Sequence, residues 1–221
     1  MSKKQFVVIG LGRFGNALAK TVYGLGHDVL AIDIDEEKVQ NIADDVTHAV
    51  QMDATDENSL KTIGLRNFDV AVVTIGSDMQ ASIMATLLSK EMGVKFIIAK
   101  AQNEQHAKVL TKIGANKVIL PEQDMGVRVA HNLVSSNILD YIELSSEYSI
   151  MEIEALDEWE GKTLKELELR KKYGINIVAI KDGKKVNVSP KADATINQND
   201  IVVALGSVSD LRKLEKILAK G

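Results

Sequence analysis

The apolar stretch Phe6-Val7-Val8-Ile9 runs straight into Gly10-Leu11-Gly12-Arg13-Phe14-Gly15, and a second apolar stretch ends on Asp33, eighteen residues after Gly15. This pattern constrains the fold more than any other part of the chain. It predicts a strand, a tight turn opening a helix, and a parallel second strand closed by an acid. Gly10 permits the turn, Gly12 lets backbone amides approach a pyrophosphate, and Gly15 lets helix and strand pack closely. The helix N-terminus offers free N–H groups and a positive dipole to phosphate. Asp33 is placed to accept hydrogen bonds from ribose hydroxyls. With both strands and the acid in register, the segment reads as a nucleotide site rather than a structural turn.

The rest of the first 120 residues repeats the alternation. Strands are expected at 28–33, 48–51, 69–75, 95–99 and 117–120, with helices near 36–43, 57–63, 79–92 and 104–113 between them. Asp69–Ile75 is almost continuously apolar, as a strand covered on both faces should be. The expected fold class is therefore α/β, a Rossmann-like doubly wound parallel sheet. After Pro121, apolar residues Val129, Leu133, Val134 and Ile138 recur at helical spacing and predict a long crossover helix. Its apolar side packs on its own domain or on another subunit. The last eighty residues change character: an alternating strand at 149–154, a helix at 163–172 ended by Gly174, a hairpin turning at 181–184, a strand at 201–205 and a terminal helix at 210–218. They form a second, smaller α+β domain. The expected division is 1–138 and 139–221.

Composition narrows the function. Of 221 residues, 45% are hydrophobic and only 4% aromatic, so the core should be aliphatic. A net charge of −4 argues against nucleic-acid binding, which needs a basic face. The absence of cysteine removes disulfides, thiolate zinc sites and a cysteine nucleophile, and the four histidines are scattered. No apolar run reaches the ~20 residues that span a bilayer, and no signal-peptide core follows the start, so the chain is expected in the cytoplasm without membrane insertion.

Several polar groups fall at strand C-termini, where a doubly wound sheet holds its ligand. Asp53, with Ala54 beside it, either contacts adenosine or caps the following helix. Gly76 either admits ligand or simply turns the chain, and Lys100 either screens phosphate or is solvated. Glu122 is a helix-start charge, or a carboxylate brought to phosphate by an intervening cation. Arg13, inside the glycine loop with Phe14, is a fixed cation for its own site or a neighbour's. No histidine is paired in sequence with an acid as a general base would be, so the chain is not expected to be an enzyme.

Assembled, these motifs resemble the cytoplasmic regulatory subunits of bacterial potassium-uptake systems of the Ktr/Trk type, built from regulator-of-conductance-of-potassium (RCK), or TrkA, domains. The resemblance covers essentially the whole chain and rests on the glycine loop, Gly64–Asp69, Ala99–Asn103, Lys112–Ala115, Pro121–Met125 and Lys172–Ile180. It implies an RCK N-terminal nucleotide-binding domain and an RCK C-terminal ligand-binding and dimerisation domain. It further implies a homo-octameric ring of dimers, docked on a separate membrane potassium-transporting subunit at the inner face of the membrane. By the same resemblance ATP activates and ADP inactivates. Gly10, Gly12 and Gly15 hold phosphates, Asp33 the ribose and Asp53 the adenosine end. Arg13 meets the terminal phosphate across the dimer, and Glu122 helps hold a divalent cation, Mg²⁺ or Ca²⁺. The C-terminal domain is implied to bind cyclic di-AMP and inhibit uptake, with Arg170 on a phosphate, Asn176 on adenine, and Leu169, Ile175 and Pro190 as apolar walls. Met52 and Gln123 depart from the family pattern, where glycine and a basic residue are common. The alternative class is an NAD(H)-binding oxidoreductase or redox sensor, since the glycine loop and Asp33 also suit NAD. A DNA-binding repressor lacks support from any helix-turn-helix or basic patch.

Overall fold

The computed structural model describes residues 2–134 and 138–218. They form two compact units that meet in sequence between Pro121 and Glu122.

The first unit alternates β1 (Gln5–Ile9), α1 (Arg13–Gly24), β2 (Asp28–Asp33), α2 (Glu36–Ile42), β3 (His48–Gln51), α3 (Glu57–Thr62), β4 (Val70–Val73), α4 (Met79–Glu91), β5 (Phe96–Lys100), α5 (Glu104–Lys112) and β6 (Lys117–Ile119). The strands form one parallel sheet in the order β3-β2-β1-β4-β5-β6. This is the doubly wound architecture expected from the alternation. Helices start where short polar side chains supply the missing acceptors. Asp35, Asp56, Asp78 and Asn103 each accept a backbone N–H in the first turn of α2, α3, α4 and α5. The α1 helix differs: Gly12 precedes it, with no side-chain cap and no acid in the first turn. Aliphatic cores form on both faces of the sheet, one around Val7, Ile9, Ile97 and Leu110 and the other around Val8, Val29 and Val72. All four residues of β4 are buried. The strand order reverses between β1 and β4, so a crevice opens at their C-terminal ends.

The second unit contains α6 (Pro121–Val134) beyond its first residue, β7 (Ile138–Glu143), β8 (Tyr148–Glu154), α7 (Leu164–Leu167), α8 (Leu169–Tyr173), β9 (Asn176–Asp182), β10 (Lys185–Val188), β11 (Ile201–Ser207) and α9 (Val208–Leu218). Its sheet is antiparallel in the order β10-β9-β11-β8-β7. Trp159, Met151, Ile153, Ile196 and Leu214 anchor its core.

Three features differ from the expectation. The helix at 163–172 is two short helices, because Glu168 adopts a left-handed conformation (φ 46°) between them. The helix predicted to run to Ile138 is described only to Val134. Residues 135–137 lie outside the described residues, and Ile138 opens β7, where it is 2% exposed. A register shift between Ile138 and Asp140 buries Ile138 and Tyr141 together. That three-residue spacing looks helical in sequence, which hid the strand.

The unit boundary also falls at 121/122, ahead of the expected 138/139. Side-chain contacts give the reason, since α6 is tied to the second unit. Arg128 pairs with Asp140 through both carboxylate oxygens, its Nε lying 2.6 Å from Oδ1. His131 stacks on Tyr141 with ring centroids 4.1 Å apart, and its Nδ1 lies 3.2 Å from Glu215 Oε1. The Arg128 hydrogen bond, outweighing burial, holds the Asp140 carboxyl below its ordinary pKa. A depressed acid contributes stability that is complete above its unfolded pKa and lost as pH falls through the folded one. Wild type should therefore melt above Asp140→Asn at neutral pH, with the gap in Tm closing in strong acid. A gap that persists there would show that the pair's charge is not what matters.

Candidate functional site

A cavity of about 560 Å³ opens where β1 and β4 end. Its lining includes Gly10, Gly12 and Phe14 of the glycine loop, Asp33 and Ile34 after β2, and Met52, Asp53, Ala54 and Thr55 after β3. Thr74 to Asp78 follow β4, and Lys100 ends β5. The volume lies within the range of small-molecule sites.

The glycines divide their work. Gly10 has φ 99°, and a Cβ there would meet Ile75 N at 2.9 Å. A Cβ on Gly15 would lie 2.5 Å from Thr74 Oγ1 and closer still to the Gly10 carbonyl oxygen. Gly15 therefore lies beneath the site and does not line it. A Cβ on Gly12 would meet nothing within 4 Å. Open space in front of an uncapped helix N-terminus is a cradle suited to phosphate oxygens.

Asp33 is 8% exposed. Its Oδ2 accepts the Leu11 N–H at 2.6 Å and its Oδ1 the Asp35 N–H at 2.9 Å, so the acid fastens the glycine loop to the end of β2. Oδ2, with a single donor, keeps a lone pair for a ribose hydroxyl. Lys38 Nζ lies 3.5 Å from Asp33 Oδ1 and 3.4 Å from Asp35 Oδ2. Burial opposes its charge, but the two carboxylates outweigh that and raise its pKa. Asp53 does not cap α3, since Asp56 does. Its Oδ1 instead accepts from the backbone and hydroxyl of Thr55 at 2.8 and 2.7 Å, which shapes the cavity wall.

Two contributors escaped the sequence reading. Lys38 belongs to no sequence motif. Thr74 is 4% exposed, and its hydroxyl donates to the Gly10 carbonyl at 2.5 Å, clamping β4 to the glycine loop. Thr74→Val should leave that carbonyl unpartnered and cost about 1–2 kcal/mol of stability in the first unit. Chemical denaturation would measure it, and an unchanged midpoint would remove the clamp.

Arg13 is exposed, outside the cavity wall. Glu122 is exposed at the start of the second unit. No group of three or more His, Asp or Glu side chains suited to a metal occurs among the described residues. In the second unit Arg170 and Asn176 are exposed and Pro190 half-buried, whereas Leu169 and Ile175 are core residues, 4% and 1% exposed.

A parallel sheet with its glycine loop and acid at a switch-point cavity, followed by an antiparallel unit, defines a two-domain protein of the Rossmann-like class. Residues 6–121 match the TrkA-N domain and residues 149–219 the TrkA-C domain. The chain is 55% identical over 214 residues to the Ktr system potassium uptake protein C of Bacillus subtilis (strain 168), covering 97% of each chain. It is 46% identical over 215 residues to the Ktr system potassium uptake protein A of the same organism, again covering 97% of each. The crystal structure of the GsuK RCK domain shares the fold, with a TM-score of 0.70 and 17% identity over 98% of this chain. This chain spans about half (48%) of that one's length. The chain belongs to the TrkA/Ktr family of potassium-uptake proteins. No described helix is long and apolar enough to cross a membrane.

Proposed function

We propose that this chain is the nucleotide-binding regulatory subunit of a Ktr-type potassium-uptake system and not an enzyme. The carrying observation is the cavity in which the Gly12 cradle and the Asp33 carboxylate line one space. ATP or ADP lies there with phosphates at the α1 N-terminus and ribose at Asp33. Lys100, at the end of β5, adds positive charge to the wall. Arg13, exposed and outside the lining of its own cavity, reaches the terminal phosphate of a neighbouring copy, and Glu122 contributes one ligand to a divalent cation there. ATP carries one phosphate more than ADP, so a contact made only to that phosphate biases one ring shape over the other. The subunits form an octameric ring of dimers in the cytoplasm, docked on a membrane potassium-transporting partner. Cyclic di-AMP inhibits through the second unit. There Arg170 and Asn176 reach the ligand and Pro190 flanks it, while Leu169 and Ile175 support the site from the core.

The test is potassium flux into vesicles carrying the membrane partner and this chain. ATP should raise flux over ADP, Arg13→Ala should erase the difference, and cyclic di-AMP should lower flux. Flux indifferent to all three nucleotides would defeat the regulatory reading.

A further inference from the structure

A buried histidine stands behind the cavity rim. The Gly76 carbonyl, in the cavity wall, accepts a hydrogen bond from Gln102 Nε2 at 2.7 Å. The Gln102 backbone N–H donates to His106 Nδ1 at 3.3 Å. His106 lies in the first turn of α5, is 1% exposed, and receives the helix cap through its own N–H, which donates to Asn103 Oδ1 at 2.9 Å. Since Nδ1 accepts, the neutral ring carries its proton on Nε2. That nitrogen is buried with no partner among the described residues. An apolar side chain would fill the same space without an orphaned donor, so packing alone does not account for a histidine.

The ring is also poised to change state. Burial lowers its pKa below the ordinary histidine value, and burial is the sole cause. The charged residues of the neighbouring elements are Asp78 at the cap of α4 with Lys90 and Glu91 in its last turn, Lys100 ending β5, Glu104, Lys108 and Lys112 on α5, and Lys117 opening β6. None of them adds to that effect or opposes it. An imidazolium has two donors and no acceptor. It cannot hold the Gln102 N–H, and it strands a charge in the core.

We propose that His106 is a proton-sensitive positioning residue for the nucleotide cavity: neutral, it seats Gln102 on the Gly76 carbonyl, and protonated, it releases that wall. The proposal rests on the nucleotide reading of the cavity. Its sign is fixed by the geometry. Ligand affinity is flat above the ordinary histidine pKa and falls as pH drops through the lower value in the folded chain. Acidification then weakens nucleotide control without any change in nucleotide concentration.

The experiment is calorimetric titration of the full chain with ADP at about pH 7.5 and at a pH below the midpoint of the His106 titration, for wild type, His106→Gln and Gln102→Ala. The ring resonances of His106 are followed by NMR, with and without ADP. Protonation of ADP itself is common to all three proteins, so the ratio of affinities at the two pH values isolates the protein's part. Wild type should lose roughly fivefold more affinity on acidification than either variant, the worth of about one net hydrogen bond. ADP should move the His106 titration to lower pH. Equal ratios in all three proteins, or a His106 titration indifferent to ADP, would overturn the proposal. Absence of ADP binding to wild type at the higher pH defeats the nucleotide reading instead.

Discussion

Gly15→Ala should strongly destabilise the first unit, whereas Gly12→Ala should leave its stability intact and weaken its hold on phosphate. The two substitutions add the same methyl group three residues apart in one loop, and the difference lies in what the methyl meets. At Gly15 it meets the Gly10 carbonyl and the Thr74 hydroxyl. Neither can retreat, because Gly10 donates its N–H to the Ile32 carbonyl at 2.7 Å and the Thr74 N–H donates to the Ile9 carbonyl at 2.7 Å. Those bonds join β1 to both of its neighbours. Relief therefore means breaking the centre of the sheet, an overpacking cost of about 3 kcal/mol or more. Thermal melting should drop by roughly 10 °C or more. At Gly12 the backbone is already extended (φ −62°, ψ 179°), and the methyl points into open space. Melting should change little while ADP affinity falls by roughly tenfold or more, through loss of close approach to the helix amides. Equal melting temperatures for the two variants would contradict this division of labour.

Asp33→Ala should carry the largest loss of binding. The substitution removes the acceptor for ribose hydroxyls, and it also releases the Leu11 and Asp35 N–H groups. Hydrogen bonds to a carboxylate are each worth roughly 1.5–3 kcal/mol, so two or more lost together predict a fall in nucleotide affinity of about a hundredfold. Lys38, now facing Asp35 alone, cannot substitute, because it is a donor and the orphaned groups are donors too. Asp33→Asn should also fail, since an amide presents one acceptor where two donors converge. Comparing ATP with 2′-deoxy-ATP separates the two roles. Wild type should prefer the ribonucleotide, and Asp33→Ala should bind both equally weakly. A preserved preference in the variant would place the ribose elsewhere.

How much of this was readable before the fold depended on how far apart the partners lie. The glycine loop and Asp33 were legible because their chemistry is local: strand, turn, helix and strand follow within one βαβ unit. The parallel sheet followed from the same alternation. Thr74 was not legible, since its partner Gly10 lies 64 residues away and only strand pairing joins them. The role of Asp53 was ambiguous because an acid ahead of α3 reads equally as ligand contact or helix cap. The backbone decides, giving the cap to Asp56 and a turn around Thr55 to Asp53. In the second unit a bulge disguised β7 as helix, and a left-handed Glu168 broke a segment whose composition reads as continuous helix. Leu169 and Ile175 show a further limit. An apolar residue beside a charged one reads equally as pocket wall or core, and burial assigns both to the core.

The measurement that bears most directly on the account is equilibrium binding of ATP, ADP and NADH to the purified chain and to Asp33→Ala. The account predicts saturable binding of ATP and ADP at one site per chain, weak binding of NADH, and loss of the adenine nucleotides in the variant. Preferential binding of NADH, or ATP binding that survives Asp33→Ala undiminished, would contradict it.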